Sequence, residues 1–358
     1  PPRDEVKQAI DTCHKAGIKV IMITGDHVET ALAITKQLNI YQEGDLAISG
    51  KDLSKMTDEQ LDKVVLKTSV FARISPNDKL RIVNAIQRNK NIVAMTGDGV
   101  NDAPALKAAD IGIAMGKGGT DVARESSDMI LLDDNFTTIE YAIKEGRRIY
   151  STIQKVIQYL LAGNISEVLT IFVAMLLNIG TPILAVHILI VNLVTDTIPA
   201  LALGIDPATS NIMEKKPIKV GTLFEKGLIQ RVIFHGIIIS IITLVAYYVG
   251  YQDSPNEGVT MAFITLSLSQ IIHSLNQHSP DISFFSKKHA RNWYLYGAML
   301  ISLVILLLLI YVKPIADFLS LQIPTSFEWL IIILLSSTPL IIVELYKLIK
   351  KLSNKLVK

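Results

Sequence analysis

The sequence predicts an α/β domain with a parallel sheet, followed by an all-α domain of six membrane-spanning helices. In the first part, to about residue 150, charged residues occur throughout and short β-branched runs alternate with helical patterns. Long apolar runs fill residues 153–349, and the mean hydropathy of +0.39 is high for a soluble enzyme. The predicted boundaries are 1–136 for the α/β domain, 137–156 for a stalk helix and 157–358 for the membrane domain.

Charge and cysteine content limit the classes of function. The net charge is only +2, so no excess of basic residues indicates nucleic-acid binding. Cys13 is the single cysteine and has no second thiol with which to form an internal disulfide. A cytosolic location for the α/β domain is therefore expected.

The first half alternates predicted helices with short apolar strands. In chain order these are helix 4–16, strand 18–23, helix 28–38, strand 70–72, helix 77–89, strand 92–95, helix 101–108 and strand 111–114. Alternation of this kind predicts a doubly wound parallel sheet. Ligands bind such sheets beyond the carboxyl ends of the strands. The Thr-Gly-Asp turns at residues 24–26 and 96–98 both fall there.

These two turns carry groups suited to phosphate and magnesium. The glycines allow backbone N–H groups to approach a phosphate closely, and Thr24 offers a hydroxyl. Asp98 and Asp102 place two carboxylates four residues apart, an arrangement suited to Mg²⁺. Lys79 opens a helix and can neutralise a phosphoryl group. Taken alone, residues 24–26 can equally be a simple turn and helix cap.

Three longer motifs contain these residues: Thr-Gly-Asp-Gly-Val-Asn-Asp-Ala-Pro-Ala-Leu at 96–106, Met-Ile-Thr-Gly-Asp at 22–26 and Ala-Arg-Ile-Ser-Pro-Asn-Asp-Lys at 72–79. They resemble the motifs of P-type ATPases within the haloacid-dehalogenase-like superfamily. The resemblance implies that Asp98 binds Mg²⁺, with Asn101 and Asp102 closing that site. The catalytic residues that it implies beside an aspartyl phosphate are Thr24, Gly25, Asp26 and Lys79.

The nucleophile motif of that family, Asp-Lys-Thr-Gly-Thr, does not occur in the sequence. The chain begins Pro1-Pro2-Arg3, without an initiator methionine. We therefore expect a C-terminal fragment of a longer pump, whose N-terminal part supplies the nucleophile, the ATP-binding domain and four further membrane helices. The fragment alone is expected to be inactive.

Six apolar stretches in the second half are each about long enough to cross a bilayer. They are residues 157–179, 183–204, 232–250, 259–275, 293–312 and 327–346. Positive charges concentrate in segments 215–231, 287–291 and 347–358, whereas the alternate segments hold only Lys313. This asymmetry predicts that both termini are cytosolic. The expected location is a bacterial plasma membrane, with the lipid bilayer, the transported cation and the N-terminal part of the pump as partners.

Polar side chains inside the apolar stretches predict a cation site, because they are costly in a membrane. The candidates are Asn164, Glu167, Asn192, Thr195, Asp196 and Gln270. All offer oxygen, and two are acidic, which suits a hard cation. Pro199 is expected to break the second helix and free nearby carbonyls. Interhelical hydrogen bonding is the alternative, and we favour it for Ser240 and Thr243.

Segments 164–167 and 191–196 resemble the ion-binding helices of the calcium-pump subfamily. The resemblance implies Ca²⁺ as the transported ion, with Mg²⁺ and ATP as cofactors. Gln270 stands where those pumps have a glutamate, which leaves the number of ions open. Three alternatives remain at this point: a Na⁺/K⁺-type or other cation pump, a membrane-anchored phosphatase of the dehalogenase superfamily, and a truncated cation-binding membrane protein without turnover.

Overall fold

The computed structural model describes residues 4–209, 211–217, 227–279, 283–284 and 291–356. Its two compact units are Pro1–Arg147 with Ser210–Gly221, and Arg148–Thr209 with Thr222–Lys358. Parts of the basic segments that predict the orientation, residues 218–226, 287–290 and 357–358, lie outside the described residues.

The first unit is an α/β structure with purely parallel strand pairing. Its strands are β1 (Met22–Thr24), β2 (Leu46–Ser49), β3 (Thr68–Ala72), β4 (Ala94–Gly97), β5 (Ile111–Met115) and β6 (Met129–Leu131). Its helices are α1 (Asp4–Lys15), α2 (Val28–Gln37), α3 (Gly50–Leu53), α4 (Asp58–Val64), α5 (Pro76–Arg88), α6 (Ala103–Ala108) and α7 (Asp121–Glu125). The predicted fold class is confirmed.

The described strands form two three-stranded sheets, ordered β1-β3-β2 and β4-β5-β6. β1 and β4 are edge strands of these sheets. Strands β2 and β6 were not predicted from the sequence pattern; they are only four and three residues long. Their positions depend on pairing with β3 and β5, which local pattern does not encode.

The core of this unit packs around β3, which is buried on both faces. Every residue of β3 is buried, and Phe71 packs with Ile48, Leu61 and Ile82 from the neighbouring elements. Burying a side chain as large as Phe71 contributes about 1.5–3 kcal/mol. Helix α5 starts at a capping box between Ser75 and Asp78, which fixes the turn that carries Lys79.

The second unit is helical. Its elements, counted with the N-terminal part of the first helix, are α8 (Phe136–Leu177), α9 (Ala185–Ile190), α10 (Thr197–Gly204), α11 (Leu228–Tyr251), α12 (Pro255–His278), α13 (Trp293–Tyr311), α14 (Lys313–Phe318) and α15 (Ser326–Leu356). With Ala185–Gly204 counted as one, six helices in the described residues are long and apolar enough to span a membrane. This confirms the six predicted segments. The proposed stalk, residues 137–156, lies within the continuous helix α8.

Helix α12 occupies the centre of the helical unit. Of its most apolar 18-residue stretch, 78% is buried, against 28% for α13 and α15. Buried Ser267 and Thr265 lie on this helix beside Phe263 and Leu266. A helix buried on all sides can hold polar side chains out of contact with lipid, so α12 suits an internal cation site.

A carboxylate in the loop before α8 holds the backbone near the second Thr-Gly-Asp turn. Asp134 accepts hydrogen bonds from the N–H groups of Gly116 (2.7 Å), Lys117 (3.0 Å) and Gly118 (2.7 Å). Two residues further along, the N–H of Thr120 donates to the carbonyl of Asp98 at 2.9 Å. Burial acts to raise the pKa of Asp134, but these backbone hydrogen bonds outweigh it and lower that pKa below its usual value.

We expect Asp134→Asn to loosen the 116–120 loop. Its amide protons should exchange faster, because an amide accepts more weakly than a carboxylate. An unfolded aspartate has a pKa of about 3.9, so the stabilisation is present above that pH and is lost as the pH falls through the lower folded-state pKa. Hydrogen exchange at pH 7 and at low pH tests this, with the exposed Glu125→Gln as control. Equal exchange in Asp134→Asn and wild type at pH 7 would contradict it.

Candidate functional site

The first Thr-Gly-Asp turn lies against the segment that follows β3. The Thr24 hydroxyl oxygen accepts from the N–H of Asp26 at 3.1 Å. The Thr24 carbonyl accepts from the N–H of Ile74, and the Asp26 carbonyl accepts from the N–H of Arg73, both at 3.1 Å. Because β1 and β3 are paired in parallel, two of the three sequence motifs meet at the carboxyl end of this sheet. Gly25 and Asp26 are exposed there.

The second turn is organised by Asp102. The Lys79 ammonium donates to one carboxylate oxygen of Asp102, and the other oxygen accepts from the N–H groups of Asp98 and Gly99 at 3.3 Å each. A Cβ on Gly97 would lie 2.5 Å from the Asp102 Cβ, so only glycine fits at that position. Asp102 is only 5% exposed. Its carboxylate therefore positions Lys79 and the turn.

Asp98 and Asn101 are exposed at the carboxyl end of β4. Asp98 is thus available for Mg²⁺, whereas both oxygens of Asp102 already accept hydrogen bonds. No described hydrogen bond joins the turn at residues 24–26 to the turn at 96–98. The two halves of the predicted phosphate site therefore stand on two separate sheet edges, β1 and β4.

In the helical unit, Glu167 of α8 contacts Asn192 directly. The Asn192 amide donates to one Glu167 carboxylate oxygen at 2.9 Å and to the Ile188 carbonyl at 3.1 Å. Glu167 is 4% exposed. These contacts join α8 to the segment between α9 and α10.

Asp196 and Gln270 approach the same face of α8. The Tyr159 hydroxyl donates to Asp196 at 3.3 Å. A Cβ on Gly163 would lie 2.9 Å from the Gln270 amide nitrogen and 3.1 Å from an Asp196 carboxylate oxygen. Tyr159 and Gly163 were not predicted from the sequence, although they precede Glu167 by eight and four residues and so lie on its helix face.

Several polar atoms in this cluster lack partners. One Glu167 carboxylate oxygen and both polar atoms of the Gln270 amide are buried without a hydrogen bond among the described residues. Buried polar atoms are almost always paired, so this concentration of unpaired atoms requires an explanation. A bound cation would satisfy the oxygens.

The second membrane helix is interrupted where the ligands are predicted. Residues Val191–Thr195 form a π-helical turn, and the N–H of Asp196 donates to the Val191 carbonyl at 2.9 Å. Pro199 has no N–H to donate to the Thr195 carbonyl, which instead accepts from the Ser302 hydroxyl at 3.4 Å. The Thr195 hydroxyl donates to the Val191 carbonyl at 2.9 Å. The helix is thus interrupted at residues 191–195, before Pro199 and not at it, since α10 continues through the proline. The predicted effect of Pro199 on a nearby carbonyl is seen at Thr195.

Asn164 lies away from this cluster. Its side chain is exposed beside Leu161 and Val168 on the outer face of α8. It follows Gly163 directly, and one residue turns an α-helix by about 100°. Its proposed role as a cation ligand therefore stays a prediction that needs a further helix on this face.

Both parts of the chain match families of known proteins. Residues 1–110 match the family described as haloacid dehalogenase-like hydrolase, and residues 180–349 match the family described as cation transporting ATPase, C-terminus. A calcium-transporting ATPase of Bacillus subtilis (strain 168) is 47% identical over 344 residues, covering 95% of this chain and 38% of that protein.

Two further relatives extend the likeness. Calcium-transporting ATPase 1 of Bacillus cereus is 42% identical over 369 residues, covering 98% of this chain and 42% of the relative. Human calcium-transporting ATPase type 2C member 1 is 36% identical over 361 residues, covering 100% of this chain and 39% of the relative. The chain thus spans between 38% and 42% of the length of these three proteins.

We expect Gly163→Ala to weaken cation binding about tenfold or more while leaving the helices folded, because the added methyl group displaces the Gln270 amide and crowds Asp196. Equilibrium binding of radioactive calcium checks this. Gly146→Ala on the same helix is the matched control, since its Cβ would meet nothing within 4 Å. Unchanged binding in Gly163→Ala would show that the cluster does not hold the ion.

Proposed function

Since the chain belongs to the P-type cation-transporting ATPases, we propose that it is the C-terminal part of an ATP-driven pump that exports Ca²⁺ from the cytosol through an aspartyl phosphate. The observation that carries the choice of ion is the buried cluster of Glu167, Asp196 and Gln270 with unpaired oxygens. Its two carboxylates match the charge of one divalent cation, so the loaded site can be buried at low cost.

Calcium fits this cluster better than magnesium does. Ca²⁺ takes about 6–8 oxygens at flexible distances, whereas Mg²⁺ needs a tight octahedron and releases water reluctantly. The proposed ligands are Asn164, Glu167, Asn192, Thr195, Asp196 and Gln270. An N-terminal part of the pump would add oxygens on the exposed face of α8, where Asn164 lies. When the ion leaves, the two carboxylates would take up protons, which makes proton countertransport part of the proposal.

A Na⁺ or K⁺ pump is the second candidate, and one observation favours it. The buried Gln270 is a neutral amide where a glutamate would add a third negative charge, so the cluster attracts a divalent ion less strongly than a site with three carboxylates. Monovalent ions accept the same oxygen ligands. The ion-activation experiment below separates the two candidates.

In the α/β unit, we propose that Asp98 and Asn101 hold Mg²⁺ and that Thr24, Gly25, Asp26 and Lys79 surround the phosphoryl group. Asp102 would close the site indirectly, by holding Lys79 and the turn. The attacking aspartate and the ATP-binding domain would belong to the N-terminal part. A strand carrying that aspartate would find unpaired edges at β1 and β4, beside both turns.

The segment that follows α10 links the proposed cation site, along the chain, to the unit that holds the proposed phosphate site. Arg147 donates to the carbonyls of Ile212 (3.0 Å) and Lys215 (2.7 Å), and to the carbonyl of Ala16 at the end of α1 (2.8 Å). Residues 211–217 are thereby fastened to the α/β unit, while α10, the helix before them, directly follows Asp196. We propose that movement of this segment accompanies phosphorylation, in a bacterial plasma membrane with both termini cytosolic.

Glu167→Gln and Asp196→Asn should each raise the calcium concentration that half-activates ATP hydrolysis by on the order of a hundredfold or more, because calcium affinity depends on the ligand charge. The measurement is ATPase activation by Ca²⁺, Mn²⁺, Na⁺ and K⁺ in vesicles that contain the complete pump. Asp317→Asn, an exposed carboxylate on α14, serves as control and should behave as wild type. Activation of wild type by Na⁺ or K⁺ without calcium would refute the choice of ion.

The chain by itself should form no acid-stable phosphoenzyme from radioactive ATP. Lys79 and Asp98 can position phosphate and Mg²⁺ but cannot replace the nucleophilic aspartate. Labelling of the purified chain is compared with labelling of the complete pump under the same conditions. Incorporation above background by the chain alone would mean that a carboxylate within these 358 residues is the nucleophile.

A further inference from the structure

A second buried charged cluster lies in the helical unit, apart from the residues proposed as cation ligands. Its centre is Asp206, which follows α10 and is 0% exposed. The Asp206 carboxylate accepts from the Lys155 ammonium at 2.7 Å, from the His278 ring Nδ1 at 2.7 Å and from the Asn292 amide at 2.6 Å. We refer to these four residues as the Asp206 cluster.

The cluster is fully connected by hydrogen bonds. Lys155 also donates to the His278 carbonyl at 2.9 Å, and Asn292 donates to the Ala202 carbonyl at 2.9 Å. The Asp206 carbonyl accepts from Arg148 at 3.0 Å. Burial acts to raise the pKa of Asp206, but the hydrogen bond from His278 and the charge of Lys155 lower it below its usual value, so the carboxylate is ionised.

Two of the helices joined by this cluster, α8 and α12, carry proposed cation ligands, and a third, α10, directly follows Asp196. Lys155 precedes Glu167 on α8 by twelve residues, which is about 18 Å along the helix. Asp206 follows Asp196 by ten residues, and His278 follows Gln270 by eight on α12. Asn292 adds the N-cap of α13, where its side chain accepts from the N–H of Leu295. One buried carboxylate thus ties four helices together at a single level.

We propose that the Asp206 cluster is a positioning site for cation binding, which sets the axial positions of α8, α10 and α12 so that the ligands on α8, on α12 and directly before α10 meet. This inference rests on the proposed function. The cluster is suited to that task because a buried carboxylate with three donors has few alternative arrangements. A shift of one helix along its axis leaves at least one buried charge unpaired, which is strongly unfavourable.

The cost of an unpaired buried charge predicts how single and double variants of the Asp206 cluster compare. Removing one partner of a buried ion pair leaves an uncompensated charge, whereas removing both charges together is tolerated better. Lys155→Met should therefore disturb the helices more than the double variant Lys155→Met/Asp206→Asn. Independent surface substitutions would instead be additive.

The test is calcium activation of ATP hydrolysis by the complete pump. Lys155→Met should raise the calcium concentration for half-activation about tenfold or more, with the maximal rate at saturating calcium largely kept. The double variant should lie closer to wild type than either single variant. If Lys155→Met does not fold, Lys155→Arg is used, which keeps the charge but alters the geometry, and the same direction of change is expected.

Lys347→Met is the matched control. Lys347 forms an ion pair with Glu344 at the same distance, 2.7 Å, and both residues are similarly buried. Their helix, α15, carries none of the proposed cation ligands, so the half-activating calcium concentration should stay near that of wild type. Equal shifts in Lys155→Met and Lys347→Met, or no shift in Lys155→Met, would overturn the positioning role. A wild-type pump that calcium does not activate would instead refute the proposed function.

Discussion

The burial of two carboxylates inside a bundle of apolar helices is the constraint on which the rest of the structure depends. Glu167 and Asp196 are 4% and 1% exposed, and one Glu167 oxygen has no partner among the described residues. An isolated ionised carboxylate is very unfavourable in an apolar medium, so the pair needs a cation or protons. The glycine at 163, the π-helical turn at 191–195 and the central placement of α12 all bring oxygens to that one place.

Both units contain buried carboxylates, which differ in how completely they are paired by hydrogen bonds. In the α/β unit, Asp102 is buried but fully paired by Lys79 and two backbone N–H groups, so it acts as a rigid support. In the helical unit, Asp206 has the same kind of role with three side-chain donors. Glu167 and Asp196 differ because their pairing is incomplete. Full pairing therefore separates supporting carboxylates from those available to an ion.

Periodicity and local chemistry made much of this predictable. The apolar runs predicted all six membrane-spanning helices. Pro199 predicted an interruption of the second one, which lies a few residues earlier, at 191–195. Helical spacing from Glu167 could also have predicted that Tyr159 and Gly163 lie beside the cation site. The roles of Asp102 and Asp206 were not, because they depend on contacts with residues far away in the chain, such as Asp206 with Lys155 and His278. Helical spacing fixes which side chains share a face, but it does not fix which faces of distant helices meet.

The most direct test of the central claim is infrared difference spectroscopy of the complete pump on addition of calcium. If Glu167 and Asp196 are the ligands, carboxylic acid bands should be present without the ion and disappear when calcium binds. Glu167→Gln and Asp196→Asn should each remove part of that difference signal. An unchanged carboxylic acid region in wild type, despite measured calcium binding, would contradict the assignment of the buried carboxylates to the ion.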